Sequence, residues 1–150
     1  MSNSRVKANN RDTGYVFSGP HIPESKKTLK NGLTLVANHQ SGVVISENPV
    51  SPWHHATFLS QGTTIQDVDG KTLGDAALCE FVDPDGDLSW MVTLIWYDQD
   101  PDAFKIIDGT GKWKGITGSG KFEKIARGKA MEPGTYQGCV RNTGTFELLK

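Results

Sequence analysis

The passage that most constrains this chain is Phe104 to Phe122, FKIIDGTGKWKGITGSGKF. An apolar run (Phe104, Ile106, Ile107) enters a loop carrying Gly109, Gly111, Gly115, Gly118 and Gly120, and the chain leaves through Phe122 and Ile125. Glycines at this density supply positive-φ corners and close backbone approaches that other residues resist. Trp113 and Ile116, set inside the loop, read as plugs that fold it back onto an apolar surface, so the loop is expected to be structured and to close a sheet. Two phosphate-cradling patterns fail here. Around Gly111-Lys112 the phosphate-loop positions are held by Ile106 and Trp113. The dinucleotide fingerprint is one residue out of step and precedes another turn, not a helix.

At 150 residues one domain is the default. Sixteen basic and 17 acidic residues nearly cancel, with no long like-charged block, which argues against a nucleic-acid partner. The polar start lacks an apolar segment of signal-peptide length, and no run approaches the ~20 apolar residues of a membrane span. The expectation is a soluble, cytoplasmic protein in which Cys79 and Cys139 are buried free thiols, although a disulfide between them is geometrically possible. No Cys/His cluster suggests a metal, and no cofactor is implied.

Residues 1–12 are expected to be a mobile polar terminus and 13–150 a single β domain. Tyr15 to Phe17 reads as a short strand and Ser25 to Gly32 as a turn or one helical turn. Strand-like runs then follow at Leu33–Glu47, Trp53–Val68, Lys71–Val82, Leu88–Tyr97, Phe104–Ile107, Lys121–Ala126 and Thr135–Leu149. Asp69-Gly70 signals a two-residue hairpin and Pro84-Asp85-Gly86 a slightly longer one, while Pro101 punctuates the next joint. No amphipathic helix longer than about two turns emerges. The chain reads as an all-β antiparallel meander.

Period-two sorting assigns the faces. Leu33, Leu35, Ala37, Val43 and Ile45 share a face with His39, opposite the polar Thr34, Asn38, Gln40 and Ser46. Glu80 lies between Leu78 and Val82, opposite Ala77, Cys79 and Phe81. Trp90, Val92, Leu94 and Trp96 stand opposite Met91, Ile95 and Tyr97. Strands apolar on both sides must be covered on both sides, which predicts a homo-oligomer.

The glycine-rich passage, after a tryptophan-rich hairpin and before a final strand pair, resembles the allene oxide cyclase and dirigent barrel superfamily. Those proteins carry a similar apolar-G-G-x-G-x-aromatic-x-G-x-x-G-x-aromatic run, with Asp108 here replacing the first glycine of the pair. The resemblance covers about the last half of the chain. It implies an eight-stranded antiparallel up-and-down barrel (calycin-type) with an apolar central cavity, assembled as a trimer or dimer. It also implies either an isomerase-type cyclase or a stereochemistry-directing binding protein without independent catalysis. The family's catalytic residues do not map by motif.

The candidate chemistry therefore rests on residue type and face. His39, among Leu35, Ala37 and Val43, would be an acid–base group with a pKa lowered by desolvation, or else a histidine bonded to backbone or Ser41. Glu80 facing an apolar lumen would exchange a proton near neutral pH, or else be an outer-face charge. In the Trp53-His54-His55 run, parity puts His55 inside near a barrel mouth and His54 outside. Trp53, Leu59, Trp90, Trp96 and Tyr136 would wall a flat apolar or aromatic ligand, or simply pack the core. Asp83-Pro-Asp85-Gly-Asp87 lacks the residues of a calcium loop and reads as a turn. The leading expectation is isomerisation, cyclisation or elimination of a mostly apolar substrate. The alternative is a non-catalytic, dirigent-like binding protein for an apolar or phenolic ligand.

Overall fold

The computed structural model describes residues 7–96 and 103–149. Nine strands follow one another: β1 Lys7–Ser18, β2 Ile22–Thr28, β3 Thr34–Ser46, β4 Thr57–Gln66, β5 Thr72–Val82, β6 Leu88–Trp96, β7 Ala103–Gly109, β8 Thr117–Gly128 and β9 Gln137–Leu149. One 3-10 turn, Gly111–Trp113, interrupts them between β7 and β8. Neighbours in sequence pair antiparallel from β2 to β9, and β1 pairs with both β9 and β3. Eight strands thus close into an antiparallel barrel, with β2 as an extra strand.

The closure has a simple cause. β3 is long enough to take two partners on one edge: its second half (Gly42–Ser46) pairs with β1 and its first half with β2. Gly19-Pro20 breaks the chain between these two partners, and the Gly19 N–H still donates to the Ser41 carbonyl at 2.7 Å. Closure leaves the eight barrel strands paired on both sides, and β2 is the edge strand among the described residues.

Two departures from the sequence reading follow. β1 starts at Lys7, so residues 7–12, expected as mobile, pair with β9. Residues 22–28, expected in part as a helical turn, form the exposed strand β2, held by β3 alone among the described strands. Tyr97 and Pro101 lie outside the described residues.

Two hairpins share one device. In Asp67–Lys71 and Asp83–Asp87 the first aspartate's Oδ1 accepts the N–H groups two and four residues on, at 2.9–3.0 Å. A glycine at positive φ (Gly70 +81°, Gly86 +91°) then turns the chain back. Asp69-Gly70 is therefore the corner of a three-residue loop, not of a two-residue hairpin.

One end of the barrel is sealed. Trp53, Trp113, Ile116, Ile106, Phe104 and Phe146 are buried there, Ile116 with no exposure at all. Glycines make the space: a Cβ on Gly120 would stand 2.4 Å from the Phe104 ring and one on Gly144 2.9 Å from it. Gly120 and Gly144 face each other across β8 and β9, so Phe104 lies on bare backbone. The glycine-rich loop folds onto this floor as the sequence led one to expect. Asp108 ties it by accepting the Gly109 and Gly115 N–H groups at 2.8 Å.

Asp83 fastens the same end. Its Oδ2 accepts from the buried Trp113 indole at 2.8 Å and pairs with Lys112 at 2.8 Å. Burial alone would raise this carboxyl, but bonds from Lys112, Trp113 and two backbone N–H groups outweigh it and hold the pKa below 3.8. A depressed carboxyl stabilises the fold above the unfolded value and loses that contribution as pH falls through the folded one. Asp83→Ala, which strands the Trp113 donor, is expected to cost roughly 2–4 kcal/mol in urea unfolding at pH 7, with the gap from wild type narrowing at pH 3.

Candidate functional site

Inside the barrel, above the sealed floor, is a cavity of about 330 Å³. Phe58, Phe81, Met91, Phe122, Val140 and Cys79 line its body. These come from strands that point alternate side chains inward, and the inner pairs are cross-strand partners: Phe58 with Phe81, and Cys79 with Met91. Burial pushes the Cys79 thiol up, so it stays protonated, and both cysteines are free.

Toward the mouth the wall becomes polar. Asn38 Nδ2 donates to Thr64 Oγ1 at 2.8 Å, and Thr64 Oγ1 donates to Asp75 Oδ1, a chain of bonds across β3, β4 and β5. Beside it stands a stack of two rings and a guanidinium. The His21 N–H donates to the Tyr136 carbonyl at 2.6 Å, the two rings stack at 4.5 Å, and the Arg127 guanidinium lies 4.3 Å over Tyr136. These contacts join the start of β2 to the chain entering β9, which no strand pairing joins. His21 is lowered from 6.5, chiefly by burial, against the opposing charge of Asp75 and a bond with Asn38. It is therefore neutral at pH 7.

The residues singled out from sequence divide sharply. Tyr136 lines the cavity. His39 does not: it is on the outer face, its Nδ1 2.6 Å from Glu24 Oε1 of β2. Glu80 is also outside, accepting the Trp90 indole N–H at 2.7 Å. Leu59 and Trp96 are exposed on the same outer surface, with Trp90 half-buried there. His55 sits in the turn before β4 at φ +59°, exposed and stacked 3.9 Å from His54, not inside the barrel. Trp53 is buried in the floor, edge-on to Phe146 at 5.5 Å, and does not line the cavity.

The parity of β3 was right and its direction inverted. Thr34, Asn38 and Ser46 are buried, while Val43 and Ile45 are 48% and 47% exposed. The barrel interior carries polar side chains because they satisfy one another, as Asn38, Thr64 and Asp75 do. The apolar set is left on the outside. His21, Asn38 and Asp75 were missed; for Asn38 the signal available was its place opposite a glycine, Gly62. Among the described residues no three His, Cys, Asp or Glu side chains are grouped as for a metal ion.

No family model and no curated protein matches the chain. Among solved structures it is similar to that of a pterocarpan synthase dirigent protein. The TM-score is 0.58 and the identity 15%, over 100% of this chain and 96% of the other. The likeness is one of fold, and the fold is a dirigent-like barrel.

NMR titration of the histidines tests the rim. His21 is expected to titrate with a midpoint below 6.5. The unfolded chain takes up that proton first, so stability contributed by His21 declines as pH falls from 6.5 toward the folded midpoint and then levels off. A midpoint above 6.5 would place its ring outside the buried stack.

Proposed function

We propose that this protein is a binding barrel that takes a small, mostly apolar ligand into its cavity and holds it in one shape, shielded from water. The observation that carries this reading is the cavity itself: a lumen of about 330 Å³ walled by Phe58, Phe81, Met91 and Phe122 and sealed below. Restricting a flexible or reactive ligand to one geometry is a physical service that needs no proton transfer from the protein. The leading sequence expectation, proton shuttling by His39 and Glu80 within the lumen, has lost its geometry, because both side chains lie on the outer surface. Likeness of fold to a dirigent protein agrees with the binding reading without establishing it.

Acid–base chemistry is the second reading, and His21 favours it. A neutral imidazole at the cavity rim, with Asp75 close by, is placed to accept a proton. Exchange of a bound ligand's carbon-bound protons for solvent deuterium, lost in His21→Phe, would put this reading in place of the first.

Titration with the fluorescent aromatic 1-aminoanthracene tests binding. Wild type is expected to bind it in the micromolar range with a blue-shifted emission. Ser60→Trp, which fills the lumen from β4, is expected to weaken binding at least about tenfold while leaving the circular dichroism unchanged. Equal binding by both would place the site elsewhere.

The outer face supports a further part of the proposal, self-association. Leu78, Leu94, Val92 and Leu59 are 43–50% exposed on neighbouring strands, beside Val43 and Ile45. An apolar sheet face of this kind is unusual on a monomer. A second copy, presenting the same face, would cover it. Sedimentation at micromolar concentration is expected to show an oligomer that Leu78→Lys with Leu94→Lys converts to monomer; a monomeric wild type would contradict it.

A further inference from the structure

Two cations line the cavity, and an irregularity in β8 is what puts both of them there. Phe122 and Lys124 face inward, opposite Asn142 and Val140 of β9. Arg127 lies three residues beyond Lys124, a spacing that on a regular strand sends two side chains to opposite faces. The register shifts between Lys124 and Ala126, however, so Arg127 stands opposite Gly138, two residues from Val140 on β9 and on the same face. The bulge thus returns Arg127 to the inner side. Its guanidinium lies 4.3 Å over the Tyr136 ring. Stacking occupies the flat face of the group and leaves the N–H fork, which radiates in its plane, for an acceptor. Among the described residues no carboxylate or carbonyl takes that fork. The carboxylate of the lining is Asp75, which accepts from Thr64, so two cations face one anion. Deeper in, the walls are Phe58, Phe81, Met91 and Phe122, with the Phe58 and Phe81 rings 5.9 Å apart. The hydroxyls of Ser60 and Thr93, which also line the lumen, bond with Cys79.

We infer that the ligand is a singly charged aromatic carboxylic acid, its rings inside the barrel and its carboxylate at the mouth on Arg127, with Lys124 alongside. The inference rests on the binding reading above and adds the ligand's class and orientation to it. A guanidinium fork matches the two oxygens of a carboxylate, which is the geometry that makes such a contact strong. Flat rings suit walls made of phenylalanine, which they meet offset or edge-on. One carboxylate balances the excess of one cation in the lining. A phosphate monoester carries nearly two charges at pH 7 and would set the second against Asp75. The opposite orientation, acid end first, would strip a carboxylate of water among the phenylalanines, where no cation offsets the loss.

Calorimetric titration at pH 7 with 2-naphthoate and 2-naphthamide, which match in shape and differ in charge, tests the anchor. Wild type is expected to bind the naphthoate about tenfold tighter than the amide, the difference made by one charge-assisted contact. Arg127→Met keeps the length of the side chain and removes its charge. It is expected to bind both compounds alike, with affinity for the amide and circular dichroism unchanged. Arg141→Met removes a cation from the outer face, where Arg141 pairs with Glu123, and is expected to keep the full preference. Equal binding of the two compounds by wild type would overturn the anchor and leave the binding barrel standing. So would a preference that survives in Arg127→Met, or one that falls as far in Arg141→Met, since the overall field would then be its source. Failure to bind the naphthoate while 1-aminoanthracene binds would likewise remove the anchor alone. Failure to bind any of the three compounds would remove the binding role and the anchor with it.

Discussion

The closed end of the barrel rests on aromatic rings lying against bare backbone. Phe104 occupies space that side chains at Gly120 and Gly144 would take, and Ile106 does the same above Gly118. That packing lets β7, β8 and β9 approach closely enough for a floor to form. With Trp53, Trp113 and Ile116 added from the loops, the floor excludes water from one end. A hollow with one sealed end is what separates a ligand cup from a channel. Asp83 and Asp108, each accepting from several N–H groups, hold the loops over it.

Above the floor the curvature sets a different demand. A barrel of eight strands is just wide enough for its interior to be filled or to hold one small ligand. Here Gly42, Gly62 and Gly138 alternate with the inward side chains of β3, β4 and β9, and the lumen is left unfilled. The polar residues that do point inward toward the mouth spend their bonds on one another.

Much of this was legible in the chain. The spacing of glycines between Phe104 and Phe122, with Trp113 and Ile116 inside it, announced a folded loop that closes a sheet, because few other arrangements need that many positive-φ corners and close approaches. The alternation along β3, β5 and β6 was also legible. Which face turns inward was not. In an open sandwich the apolar face is the buried one, so Val43, Ile45 and His39 were assigned to the interior. In this barrel small and mutually bonded polar groups line part of the inside, and the apolar face is left for another surface to cover. A one-residue difference in direction moved His39 and Glu80 out of the lumen and brought Asn38 and Asp75 into it. β2 escaped notice because every residue in it is exposed, leaving no burial pattern to read.

Diffraction from crystals derivatised with iodobenzene tests the central claim, a ready-made hollow with apolar walls, most directly. The account predicts an anomalous iodine peak inside the barrel among Met91, Phe122 and Val140, with the strands unmoved. Side chains collapsed across the lumen, with iodine bound only on the outer surface, would contradict it.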